Sequence, residues 1–321
     1  MKKLIAIVAG EPNSINSEII AKAWIKIKNK KNIFIIGNYL LLKKQIEKIG
    51  IKISLLKINS INEYENKKKL HVLNVPLNFK SIFRININDT KKYIYKSLDI
   101  AHDLASNKKI KGFINASIDK KIFNNKHLGV TEYLSSKNNT KNKEVMMIYN
   151  KKLSVIPLTT HLELKDVTNK IKFNLIKTKI LTLDKTYTKL LKKKPKIVIL
   201  GLNPHNSENR INSIENKIVN PVVNKLKKLG INIKGPFAAD TVFNNQKKLN
   251  YNVIVGMYHD QVLGPFKALY GFDAINITLG LKYLRISPDH GTAQDIIALN
   301  KANPKSLISA INFFSKIHDQ T

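Results

Sequence analysis

The 321-residue chain contains no cysteine. That excludes disulfide frameworks, cysteine-ligated zinc, iron–sulfur clusters and thiol nucleophiles. Acid is scarce: 22 Asp and Glu stand against 56 Lys and Arg, a formal net charge of +34. Arginine is scarcer still, with Arg84, Arg210 and Arg285 the only three among those basic residues. Proteins that read bases rely on arginine forks and aromatic platforms. Here the charge is lysine, spread along the whole chain rather than gathered in one stripe. It travels with surplus Asn and Ile, residues of A/T-rich codons, and reads as a solvated lysine surface. No specific nucleic-acid partner is expected, and each remaining arginine is expected where its planar fork matters. No apolar run reaches the roughly 20 residues of a membrane span, so no membrane partner is expected. GxGxxG and Walker sequences are also missing, which leaves a Rossmann or P-loop nucleotide site without support.

What is present suits folding. A hydrophobic fraction of 43% supplies a core, and the length fits two α/β domains of roughly 100–200 residues each. The opening Met1–Gly10 has a basic head but too short an apolar stretch for a signal peptide, so it reads as a buried first strand of a cytoplasmic protein. Apolar runs predict strands over 3–9, 32–36, 111–115, 196–200, 231–233, 253–255 and 274–277, and a hairpin from 144–149 and 153–157. Helices are predicted near 17–28, 39–49, 89–106, 214–229, 260–269, 292–300 and 304–318, with a helical zone over 167–193 broken once. Asp89 is the expected N-cap of its helix, and 59–88 reads as loops with an edge hairpin. Strands spaced by helices imply an α/β fold of βαβ units with mostly parallel sheets. In such folds ligands sit beyond the carboxyl ends of the strands.

Chemistry-bearing residues collect at those ends. His161 follows the strand that ends at Pro157, His205 follows 196–200, and His259 follows 253–255. A lone histidine is commonly structural, but three at equivalent points are the ligand type of a catalytic divalent metal. Patterning alone leaves both readings open. Lys267, Asn276 and Arg285 lie close together in sequence, and lysine, arginine and an amide donor suit a phosphate or carboxylate. Asp289 to Ala293 reads as a turn into a helix. Thr292 is placed to cap that helix, whose N-terminus would hold an anion.

Several segments together resemble the 4-hydroxythreonine-4-phosphate dehydrogenase family of vitamin B6 biosynthesis. They are Leu158-Thr159-Thr160-His161, Gly201-Leu202-Asn203-Pro204-His205, Gly235 to Phe243, Met257-Tyr258-His259-Asp260-Gln261, and Asn276 to Leu281 leading through Arg285 to Ala293. Gly10-Glu11-Pro12 and Glu18 fit the family's opening motif. The resemblance implies two α/β/α lobes like those of isocitrate and isopropylmalate dehydrogenases, with a cleft between. The expected division is 1–110 with 276–321 on the nucleotide side and 111–275 on the metal and dimer side. It implies His161, His205 and His259 as ligands of a divalent metal (zinc, magnesium or cobalt), with His259 or the other two supplied by the partner subunit of a homodimer. Thr131, Lys267, Asn276 and Arg285 become contacts to a phosphorylated substrate. His290, Gly291, Thr292 and Ala293, with Ala302-Asn303-Pro304 beyond, are similar to the nucleotide-binding segment of those dehydrogenases and imply NAD or NADP.

The implied reaction oxidises the 3-hydroxyl carbon of 4-phosphooxy-L-threonine, and the β-keto acid formed loses carbon dioxide. Asp240 and Asp260 are the candidate bases, Asp260 alternatively orienting a ligand histidine. Three departures bear on the substrate. Val130 stands where the family's Gly-His-Thr-Glu has histidine, the loop after Lys120 is shorter, and Ser14, Asn16 and Ser17 replace Gly, Gly and Pro. His127 is a candidate substitute for the lost histidine. Lost glycines restrict any turn that needs positive φ. These changes keep open a same-fold dehydrogenase of another phosphorylated hydroxy acid, such as 4-phospho-D-erythronate. A third reading, a non-catalytic basic nucleic-acid binder, is disfavoured by the histidines together with Lys267 and Arg285.

Overall fold

The structure is a computed structural model that describes residues 4–27, 32–65, 68–123, 129–140, 143–271 and 273–318. The chain divides into two compact units, 1–138 with 282–321 and 139–281.

The first unit holds strands β1 (Leu4–Val8), β2 (Ile33–Gly37), β3 (Leu55–Ile58), β4 (Leu70–Asn74), β5 (Ile110–Asn115) and β12 (Leu284–Pro288). Their order is β3-β4-β2-β1-β5-β12, and every recorded pair is parallel. β2 is buried at all five positions, as the continuous apolar run of a strand covered on both faces requires. Around the sheet lie α1 (Asn16–Lys26), α2 (Tyr39–Lys48), α3 (Ile87–Ser106), α4 (Val130–Lys137) and α11 (Lys305–His318). α3 packs on β1, β2 and β5, and α1 on α2 and α11.

The second unit holds β6 (Val145–Tyr149), β7 (Ser154–Pro157), β8 (Ile197–Leu200), β9 (Ile233–Phe237), β10 (Val253–Gly256) and β11 (Ile275–Leu279) in the order β11-β6-β7-β10-β8-β9. β6 is antiparallel to both neighbours, and the remaining recorded pairs are parallel. The helices are α5 (Leu164–Lys170), α6 (Phe173–Leu191), α7 (Asn220–Lys228), the short α8 (Ala239–Val242) and α9 (Gln246–Leu249), and α10 (His259–Tyr270). The core joins Val155, Val198, Leu200 and Ile254 of the sheet to Val262 and Phe266 of α10.

Several expectations change. The boundaries after 110 and 275 move to 138 and 281, because β5 pairs with β1 and β12 while β11 pairs with β6. The supposed edge hairpin within 59–88 is instead β4, an interior strand parallel to β2 and β3. The N-cap of α3 is Asn86, whose side chain accepts the Asp89 N–H at 2.9 Å; Asp89 lies inside the first turn. The helix over 292–300 is only a 3₁₀ turn, Gln294–Ile296. Ala293, Ala298 and Asn300 there take positive φ, which a right-handed helix excludes. The break in the 167–193 zone falls at Ile171 and Lys172, both extended.

Candidate functional site

β7, β10 and β8 are adjacent and mutually parallel. Their chains therefore leave at one end of the sheet, and the loops bearing His161, His259 and His205 emerge side by side. Backbone and side chains lace these loops together. Leu158 N–H donates to Gly256 O at 2.8 Å, and Thr159 donates to Met257 O through its N–H at 3.1 Å and its Oγ1 at 2.7 Å. Gln261 accepts the Met257 N–H on Oε1 at 2.7 Å and donates from Nε2 to Gly201 O at 2.8 Å, tying the β10 loop to the β8 loop.

The rings of His161 and His259 lie 6.1 Å apart between centroids, inclined at 38°. At that separation both imidazoles can reach one ion at about 2.1 Å. Asp260 Oδ1 is 2.6 Å from Nδ1 of His259. That contact fixes the ring and leaves Nε2 as the nitrogen that could serve a metal. His205 Nε2 stands 4.0 Å from Asp240 Oδ2. The donor chemistry fits a divalent metal. Among the described residues of one chain, no group of three His, Cys, Asp or Glu is arranged to hold one.

His205 sits on an unusual backbone. His205, Asn206, Ser207 and Glu208 all have φ between 51° and 54° and form a left-handed turn without glycine. Each such residue costs roughly 1–2 kcal/mol. The turn is held by Glu215, which is 1% exposed. Its Oε1 accepts the Leu202 and Asn203 N–H groups at 2.9 Å each and Asn203 Nδ2 at 3.2 Å, and its Oε2 accepts Ser207 Oγ at 2.9 Å. Burial pushes the Glu215 carboxyl upward, but these donors outweigh it and hold the group below the ordinary range. Gly201 is required by space: a Cβ there would stand 2.2 Å from Asn206 Oδ1. Neither Glu215 nor Gln261 stood out from the sequence as a site residue. An acid eight residues past Ser207, within a helical pattern, gives no signal of its own.

In the first unit Arg285 is 3% exposed. Its Nε donates to Asn115 Oδ1 at 2.6 Å and its Nη1 to Thr131 Oγ1 at 3.1 Å. Burial lowers its pKa to about 10, countered in part by Glu132, so it stays charged at neutral pH. Thr131 and Arg285, both expected substrate contacts, are thus brought together. Asn115, at the end of β5, joins them; a polar residue closing an apolar strand was its only sequence signal. Lys267, half-buried on α10, and Asn276, on β11, belong to the second unit. Asn276 Oδ1 is buried without a partner, as an acceptor awaiting a ligand would be. Val130 opens α4 next to Thr131. His127 lies outside the described residues.

His290 to Ala293 form no helix N-terminus, so Thr292 is not a cap. Thr292 O instead accepts the Ile15 N–H at 3.2 Å and ties this segment to the opening motif. His290 Nδ1 is 3.0 Å from Gly291 O, its Nε2 is buried without a partner, and burial lowers its pKa. In the opening motif Gly10 has φ 74°, while Ser14, Asn16 and Ser17 have no positive φ. The lost glycines therefore cost no strain. Asn16 instead donates from Nδ2 to Ser117 O at 2.9 Å and accepts Ser117 Oγ on Oδ1 at 2.8 Å.

Comparison with known proteins bears on the whole chain. The family model described as pyridoxal phosphate biosynthetic protein PdxA matches residues 29–314. A 4-hydroxythreonine-4-phosphate dehydrogenase of Sulfurihydrogenibium sp. (strain YO3AOP1) is 36% identical over 313 residues, 96% of each chain. That of Aquifex aeolicus (strain VF5) is 35% identical over 329 residues, covering 100% of both. The crystal structure of the Klebsiella pneumoniae 4-hydroxythreonine-4-phosphate dehydrogenase superposes with a TM-score of 0.87 at 29% identity, covering 98% of this chain and 99% of that one.

Proposed function

From the premise that the chain belongs to the pyridoxal phosphate biosynthetic protein PdxA family, we propose that it oxidises 4-phosphooxy-L-threonine with NAD or NADP in the biosynthesis of pyridoxine 5'-phosphate. The product, 2-amino-3-oxo-4-phosphooxybutanoate, decarboxylates to 3-amino-2-oxopropyl phosphate. The observation that carries this reading is the delivery of His161, His259 and His205 from one end of three adjacent parallel strands, in a chain that matches the family from end to end.

His161, His205 and His259 would hold the divalent metal, the set being completed by a second copy of the chain in a homodimer. When bound, the metal supplies Lewis acidity at the substrate hydroxyl and the nicotinamide supplies a hydride acceptor. The two candidate carboxylates divide their roles. Asp260 is engaged with Nδ1 of His259 and orients it; Asp240, exposed and facing His205, takes the hydroxyl proton. Arg285, its fork set by Asn115 and Thr131, presents a fixed positive charge to the phosphate. Lys267 adds a second cation, and the buried Asn276 Oδ1 accepts a substrate donor. His290 to Ala293 contribute to the nucleotide side.

Val130 favours a second reading, a same-fold dehydrogenase of 4-phospho-D-erythronate, because valine offers a substrate no hydrogen bond. One assay separates the two. Formation of NADH or NADPH is measured with each substrate, before and after chelation and with zinc, magnesium or cobalt restored. Turnover of the threonine phosphate, lost on chelation and restored by metal, is the expected result. Turnover of the erythronate alone would transfer the assignment. Full activity after exhaustive chelation would remove the metal from it.

A further inference from the structure

We infer that Glu215 is the positioning residue for His205: it sets the approach of that imidazole to the metal by holding the left-handed turn. This rests on the reading of His205 as a metal ligand. Four consecutive non-glycine residues do not take φ near 52° on their own preference. Something must over-determine them, and the buried Glu215 carboxylate reaches both flanks. On one side it holds the Leu202 and Asn203 N–H groups that precede His205, and on the other Ser207 Oγ that follows it. His205 itself is exposed, and none of these hydrogen bonds is its own. Its direction is inherited from the turn. Asn206 adds a second anchor, donating from Nδ2 to Pro236 O at 3.1 Å. Without Glu215, two backbone N–H groups and a hydroxyl lose their acceptor, and the turn can relax toward right-handed φ, swinging the imidazole away.

The test reads metal binding directly, by titrating apo-protein with Co²⁺ and following the visible absorption of the bound ion. Glu215→Ala is expected to weaken Co²⁺ binding by about tenfold or more, in the range seen when groups that orient metal ligands are removed, while far-UV circular dichroism and chromatographic size stay as in the wild type. Glu215→Gln, whose amide can accept from the two N–H groups and donate to Ser207, is expected within about threefold of wild type. A smaller loss in the alanine variant, or equal losses in both, overturns the proposal. If Glu215→Ala does not fold, Ser207→Ala replaces it: a loss of about threefold or more supports the proposal and a smaller one overturns it. His205→Ala is the control. If it binds Co²⁺ like the wild type, His205 is no ligand and the underlying reading fails, whatever the Glu215 variants do.

Discussion

Glu11 is a carboxylate 5% exposed, with Oε2 unpartnered. Burial, aided by the charge of Asp119 and opposed by the Asn13 and Asp119 N–H groups, raises its pKa from 4.5 to about 7. A raised folded-state pKa means the folded protein holds the proton more tightly than the unfolded chain. The resulting stability is fully present below pH 4.5 and is lost as pH rises through about 7. The amount is about 3 kcal/mol. Glu11→Gln mimics the protonated form and should remove this dependence. Urea unfolding at pH 5 and pH 8 should show the variant gaining about 2–3 kcal/mol on the wild type between the two. Parallel curves would mean that Glu11 finds water or a cation in solution. Arg285 shows the opposite balance: burial depresses it, yet at about 10 it keeps its charge where the reaction would need it.

Among elements, α3 tests the assignment of its cap. Asn86 Oδ1 accepts the Asp89 N–H, so Asn86→Ala should cost about 1 kcal/mol in equilibrium unfolding. A neutral result would return the cap to Asp89. Asn86 and Asp89 are both good cap formers three residues apart, and sequence alone has no means of choosing between them. The histidine-bearing strands were legible because they are short apolar runs closed by polar residues, and Arg285 because arginine is so rare here. β4 was not: Leu70 to Leu73 is buried throughout, but the polar His71 breaks its pattern. The 292–300 stretch carries helix-forming Ala and Leu, yet Ala293 and Ala298 take positive φ, which interrupts any right-handed helix. The turn at His205 was equally hidden. Its conformation depends on Glu215, which local propensity does not see.

For the whole molecule, a charge of +34 is a self-repulsion that salt screens. Raising sodium chloride from about 20 to 500 mM should lift the melting temperature by about 2–5 °C in scanning fluorimetry. A fall would mean that attraction, not repulsion, dominates the surface. The same screening should release adventitious DNA. The layout of the units has a consequence for biosynthesis. The second unit is one continuous stretch, whereas the first is built from both flanks of it. A ribosome therefore finishes the later-starting unit before the earlier one. From Asn115 to Pro288 is 173 residues, and at about 5–20 residues per second the nascent β5 waits roughly 9–35 s for β12. For that time its edge offers unpaired amides to any passing strand. A chaperone acting on this chain would do its work there.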